Sequence, residues 1–357
     1  MIAKLRSLRL TQRQAFAFLA IILALALIAL LIYLLWLLSR GGFTSGGGAV
    51  VEGLRPIYVI DGPGEGEKPK FDRPMGVAYG KDGRIYVSDT DNNRVCVFNG
   101  RGQFLFEFGE FGVAKPLPGG EMSWVEGRMN FPLGIDVDDE GNIYVADFRN
   151  DQIQVFDREG IFLRRFPDPM QVVGKGASGQ DGTGIAVTDV AVWDGKVYAL
   201  DSYQVVVFTA DGEFYAQFGK PGSGPGDLDR PNGIDVADDG TIYVSDSNHN
   251  RVTAFDQTGE VLWTLGEPIG EVAAEVEYVF GLPRGITVMS DGSILVVDAF
   301  EHTLSEATAQ GDFVRRYGRR GTQPAEFNFP NAVDDNDDRI VVADKENNRV
   351  QVLELLK

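Results

Sequence analysis

Apolar and polar positions along this chain follow two different regimes. From Ala15 to Leu38 runs AFAFLAIILALALIALLIYLLWLL, twenty-four residues without a charge. As a helix that run spans about 36 Å, enough to cross a bilayer with some tilt. It is longer than the apolar core of a cleaved leader, and it continues into SRGGFTSGGG with no small-residue cleavage pattern. The expectation is an uncleaved signal anchor. Lys4, Arg6, Arg9 and Arg13 precede the run and only Arg40 closely follows it. That asymmetry places the N-terminus in the cytoplasm and everything after Arg40 outside. The expected organisation is a cytoplasmic tail over residues 1–14, a transmembrane helix over 15–38, a Gly-rich linker over 39–54 and one large domain over 55–357.

In that domain the pattern switches to short alternating runs of the kind that form half-buried strands. A four-residue stretch closing on Asp returns six times: YVSD at Asp89, YVAD at Asp147, YALD at Asp201, YVSD at Asp246, LVVD at Asp298 and VVAD at Asp344. A shorter apolar strand precedes each one, opened by Pro-x-Gly or a relative: PMGVAY, PLGIDV, PNGIDV, PRGITV, PNAVDD and the degenerate VTDVAV. Asp-Gly pairs at 82–83, 194–195, 239–240 and 291–292 join the two strands in hairpin turns that need φ > 0. A third strand (RVCVF, QIQVF, QVVVF, RVTAF, RVQVL) and a fourth (FLFEFG, FLRRFP, FYAQFG, VLWTLG, FVRRYG) follow. The sixth unit stops at RVQVLELLK and lacks its fourth strand, while PIYVID at Pro56–Asp61 sits in fourth-strand register with no unit before it. The expected fold is therefore all-β, a six-bladed β-propeller whose ring is closed by an N-terminal strand, since pairing the two ends removes exposed sheet edges.

Composition agrees with many short strands joined by tight turns: 44 Gly, 16 Pro, 23 Phe and 11 Tyr in 357 residues. The formal charge is −19; five basic and no acidic residues fall within residues 1–40, so the remainder carries −24. Such a field repels phosphate backbones and argues against nucleic acid as a partner. One cysteine, Cys96, excludes an intrachain disulfide, and two histidines, His249 and His302, leave little for a soft metal site.

The composite Pro-x-Gly-Ile-x-Val, Gly-x-Ile-Tyr-Val-x-Asp, Asn-x-Arg-Val-x-Val-Phe resembles the NHL repeat from about Arg55 to Lys357. The resemblance implies the propeller fold and leaves function open. NHL propellers include RNA-binding modules, extracellular sensor domains and a metal-dependent lyase, and related propellers include gluconolactonase-like hydrolases. That lyase needs several histidines, which this chain lacks. The hydrolases place metal ligands where inner strands open onto the central channel, often at the middle position of Pro-x-Gly. Here that ring is Met75, Leu133, Thr188, Asn232, Arg284 and Asn331. Asn232 matches their Asn, but Arg284 stands where an acidic ligand is expected, and a guanidinium cannot coordinate a cation. No metal and no cofactor are expected.

The six repeated Asp residues, some followed by Arg94, Arg251 or Arg349, are expected to satisfy turn donors and pair with arginine, because every blade needs one. The acidic runs at 136–141 and 334–338 read as solvated hairpin turns. The connections between blades swell at 110–131, 167–187 and 266–282, and long insertions on a rigid scaffold are where binding concentrates. Candidate ligand-binding residues are Arg284, Asn232 and Asn331 at the channel mouth, Trp124 in the first insertion, and His249 and His302 in the loops between second and third strands. No catalytic residue is singled out. The expected function is a membrane-anchored, extracytoplasmic, prokaryotic propeller that binds an envelope protein or a small ligand; an exported hydrolase or lyase acting at the channel mouth is the alternative.

Overall fold

A computed structural model describes residues 53–64, 70–113, 115–116, 122–123, 126–167, 186–266, 279–337 and 339–356, and these form six sheets of four antiparallel strands and one short two-stranded ribbon, Lys115–Pro116 with Met122–Ser123. The first blade runs Pro74–Tyr79, Ile85–Asp89, Arg94–Phe98 and Phe104–Phe108. The second runs Pro132–Val137, Ile143–Asp147, Gln152–Phe156 and Phe162–Phe166, and the third Val190–Trp193, Lys196–Asp201, Gln204–Thr209 and Phe214–Phe218. The fourth holds Gly233–Val236, Ile242–Asp246, Arg251–Phe255 and Val261–Gly266, and the fifth Pro283–Val288, Ile294–Asp298, Thr303–Ala307 and Phe313–Tyr317. The sixth takes Ala332–Asn336, Arg339–Asp344 and Arg349–Leu355 from the C-terminal end, and its outer strand, Leu54–Ile60, from the other end of the domain. Leu54 faces Leu355 and Ile60 faces Val350 across that antiparallel pair. The ring closes as the missing strand implied.

The core lies between blades. Third strands present a terminal aromatic, and Phe98, Phe156, Phe208 and Phe255 are all at most 1% exposed. Each of the last three meets the closing Phe of the preceding blade: Phe108 with Phe156 at 4.6 Å, Phe166 with Phe208 at 5.2 Å and Phe218 with Phe255 at 5.1 Å between ring centroids. The ends of the ring share in the same packing, since Leu54, Leu353 and Val342 join Leu295 and Tyr317 of the fifth blade in one buried cluster.

Hairpin chemistry is partly as expected. Gly83, Gly240 and Gly292 take φ of 77–84°, but only in the third blade does the preceding Asp also adopt positive φ, Asp194 at 49°. The expected membrane helix at 15–38, the tail at 1–14 and Trp124 lie outside the described residues. Among the described residues no helix is long and apolar enough to cross a membrane.

Register also fixes which loops share a face. Pro74 pairs with Asp89 and Val95 with Phe108. The start of the first strand, the turn after the second and the end of the fourth therefore lie together. Both ends of every inter-blade connection, the long insertions included, open on the face where the Pro-x-Gly segments begin, and the hairpin turns open on the opposite face.

Candidate functional site

The repeated Asp residues anchor this face from within. All six are 0% exposed. Asp89 accepts the N–H of Asp72 at 2.8 Å and Arg94 Nε at 2.8 Å; Asp344 accepts Asn328 N–H and Arg349 Nε, both at 2.7 Å. In the second blade Gln152 and Gln154 replace the arginine on Asp147. Burial pushes Asp89, Asp147 and Asp344 above the ordinary carboxylate range, against the pull of these donors. They hold loops in place and face no solvent.

The Pro-x-Gly segment is where backbone geometry departs from plain alternation. Pairing with the second strand shifts register between Pro74 and Gly76, between Pro132 and Ile135, and between Pro283 and Ile286. A bulge there re-aims side chains, so a position before the Gly and a position two beyond it both line the channel. The Gly itself is forced by crowding. A Cβ at Gly76 would lie 2.2 Å from Leu133 O, and one at Gly233 would lie 2.2 Å from Arg284 O.

Four carboxylates line the channel below its mouth: Asp136, Asp189, Asp235 and Asp334. Each bridges two blades. Asp136 accepts Val137 N–H at 2.7 Å in its own strand and Val192 N–H at 2.6 Å in the next blade. Asp189 takes Val190 and Ile234, Asp235 takes Val236 and Val288, and Asp334 takes Asp335 and Tyr79. The innermost strand is a sheet edge whose inward N–H groups have no ladder partner, and an unpaired donor in a narrow channel is costly. These carboxylates are the partners. The acidic runs read as solvated turns are thereby corrected at their first residues: Asp136 and Asp334 belong to strands and face the channel, and only the residues after them reach the turn.

Burial raises all four acids above their usual range. Asp189 is pushed up to about 8 and Asp235 to about 7, in both cases mainly by burial. Asp136 is raised by burial and by the charges of Asp334 and Asp235, and Asp334 by burial. The cavity they line, about 50 Å³, has room for a few waters. Among the described residues no group of three or more His, Cys, Asp or Glu is placed to hold a metal ion.

Above them the mouth brings together three of the sequence-derived candidates. Arg284 Nη1 donates to Asn331 Oδ1 at 3.0 Å and to Asn232 Oδ1 at 3.3 Å. Asn331 is itself fixed by donating to Met75 O at 2.7 Å, and Asn232 by donating to Arg230 O at 2.8 Å and Ser247 Oγ at 3.0 Å. Arg284 makes no ion pair among the described residues, and burial lowers its affinity for its proton. The histidines sit elsewhere. His249 Nδ1 lies 2.7 Å from Asp246 Oδ2 in its own loop. His302, 7% exposed, accepts the N–H of Phe329 at 3.0 Å in the next blade. It occupies the left-handed position that Asn93 and Asn348 fill elsewhere, where each amide accepts the same kind of bond, from Phe131 and Arg73.

The channel carboxylates were the residues that sequence reasoning missed. For three of the four a signal was present, since the position two after the Gly or its equivalent is Asp in the second, fourth and sixth blades and Ala, Ala or Thr in the others; Asp189 lies off that position.

Comparison with known proteins agrees with this architecture. The NHL repeat model matches residues 71–98, 129–156 and 327–353. A model described as a 6-bladed beta-propeller matches residues 181–270. The chain carries NHL repeats arranged as a six-bladed β-propeller. Protein brain tumor of Drosophila melanogaster is 32% identical over 165 residues, which cover 45% of this chain and 14% of that protein. Probable peptidyl-alpha-hydroxyglycine alpha-amidating lyase pgal-1 of Caenorhabditis elegans is 28% identical over 127 residues, covering 34% of this chain and 36% of the relative. The chain thus spans well under half the length of either. The solved structure of a streptogramin B lyase superposes with a TM-score of 0.54 at 16% identity, covering 85% of this chain and 97% of the other. At that identity what is shared is the fold.

Proposed function

We propose that this chain is a membrane-anchored binding module that displays its propeller outside the cytoplasmic membrane and docks a ligand or envelope protein on the channel-mouth face. The uncharged run Ala15–Leu38 and the basic residues before it support the anchor and its orientation. One observation carries binding over catalysis: every channel carboxylate is engaged by backbone donors from two blades, in a cavity of about 50 Å³. Ligand sites for drug-sized molecules run to roughly 300–1,000 Å³. A substrate of that size cannot reach those acids, and recognition falls to the mouth and the loops around it. Chemical crosslinking of the full-length chain in native membranes, followed by its purification, tests this. A discrete partner or retained small molecule is expected, and recovery of the chain alone would count against the proposal.

A second reading, an exported lyase or hydrolase, draws on the similarity to the amidating lyase and on Asp189 and Asp235, whose acidities lie where a general base works. It requires turnover by the purified full-length chain that Asp189→Asn or Asp235→Asn abolishes while the fold survives.

A further inference from the structure

We propose that the channel mouth is a carboxylate-binding site, in which the Arg284 guanidinium grips the anion and a shelf made by Phe300 and Phe329 takes an apolar group attached to it. The inference rests on the binding reading and names the chemistry of what docks.

Arg284 is half-buried, and its Nη1 alone is used by the protein, on the two amide oxygens of Asn331 and Asn232. Those amides are neutral, so the cation has orienting partners without a counterion among the described residues. Nε and Nη2 have no hydrogen-bond partner there and are not among the sealed, unsatisfied atoms, which leaves them open to solvent. Two parallel N–H donors on a fixed guanidinium match the two oxygens of a carboxylate. Both amides are held from behind, by Met75 O, Arg230 O and Ser247 Oγ, so the guanidinium is oriented before anything binds.

The charge of the site selects a monoanion. Arg284 supplies a cation at the mouth, and one layer below lie four carboxyl groups whose ionisation burial opposes. A dianion such as phosphate would carry a second charge that Arg284 leaves unmatched and would meet growing repulsion as those acids ionise.

The apolar half comes from the neighbouring loop. Phe300, in the turn between the second and third strands of the fifth blade, is 55% exposed, and it packs edge-on against Phe329 at 5.6 Å. Phe329 lies two residues before Asn331. The Phe300 loop is tied to the segment that carries Arg284 through the Ala299 N–H to Leu282 O bond at 3.0 Å. His302 at 5.2 Å and the Lys345 ammonium at 5.4 Å hold the other sides of the Phe329 ring. Phe329 is therefore braced at φ 50°, a conformation a bulky residue rarely adopts without such support.

The test uses the full-length chain in detergent and calorimetry with paired probes: N-acetylphenylalanine and its carboxamide, and a pentapeptide ending in phenylalanine with a free or an amidated C-terminus. Each free acid is expected to bind at least about tenfold more tightly than its amide, the scale of one charge-assisted pair. Arg284→Gln should remove that preference at unchanged melting temperature, Arg284→Lys should keep part of it, and Phe300→Ala should weaken acid and amide alike. Binding by the peptide alone would assign the site to chain termini, and binding by both probes to free acids as well. Equal binding of acid and amide, an unaffected Arg284→Gln variant, or no binding of either pair at millimolar concentration would overturn the inference. A partner still crosslinked to the Arg284→Gln chain would show that the carboxylate assignment failed while the binding reading stood.

Discussion

Asp334 in the last blade accepts the backbone N–H of Tyr79 in the first at 2.5 Å. The ring is thus closed twice, at its rim by the Leu54–Ile60 strand and at its axis by a carboxylate. Replacing that carboxylate by an amide presents Tyr79 N–H or Asp335 N–H with a competing donor. Asp334→Asn is expected to cost about 1–3 kcal/mol in chemical denaturation. No loss would mean that water serves the edge strand equally well.

Closure at the rim is tested separately. Leu54 is 0% exposed, so Leu54→Ala should cost about 2–5 kcal/mol, and deletion of residues 55–61 should cost more. Deletion of Gly41–Gly48, upstream of the paired strand, should leave unfolding unchanged. Equal stability of the 55–61 deletion and its parent would contradict a closed ring.

Stability should fall as pH rises through neutrality. Asp189 and Asp235 titrate near 8 and 7 in the folded protein because burial raises them, and at about 3.9 in the unfolded chain. The folded state therefore holds protons that the unfolded state has released, and stability is lost as pH climbs through the folded values. His302 works the other way: burial lowers its pKa, so its contribution is present above about 6.5 and is lost as pH falls below that through the depressed folded value. Melting temperature is expected to drop between about pH 6.5 and 8, with a shallower drop in Asp189→Asn. A rise across that window would contradict the protonated channel.

His302 is replaceable by the residue that other blades use. His302→Asn should retain stability, because Asn tolerates φ > 0 and can accept the Phe329 N–H, whereas His302→Ala should cost about 1–3 kcal/mol. Equal melting temperatures for the two variants would contradict the role as a blade-to-blade acceptor.

Much of this was legible beforehand, and what was not had a definite cause. The six YVxD-like stretches and the unpaired PIYVID fixed blade number and closure, because a missing fourth strand and a spare one can be counted. The Arg284–Asn232–Asn331 cluster could be anticipated because those residues share one position of the repeat. The carboxylate layer could not be read by alternation. The bulge at Pro-x-Gly breaks the period of two, so Asp136 and Asp334, contiguous in sequence with acidic turns, could not be assigned to the channel by counting. Asp189 is harder still, since it stands where the second and fourth blades have Gly134 and Gly233. Those glycines are sterically required: Gly233→Ala, whose Cβ would meet Arg284 O at 2.2 Å, is expected to cost about 1–3 kcal/mol.

The most direct test of the central claim is face-resolved photocrosslinking of the full-length chain in native membranes. A photoreactive residue at Phe300 or Arg230, on the mouth face, is compared with one at Lys81 or Asp312, in hairpins on the opposite face. A discrete adduct from the mouth positions and none from the hairpins is the expected result. Adducts from the hairpins alone, or from neither face, would contradict a propeller that binds at its channel mouth.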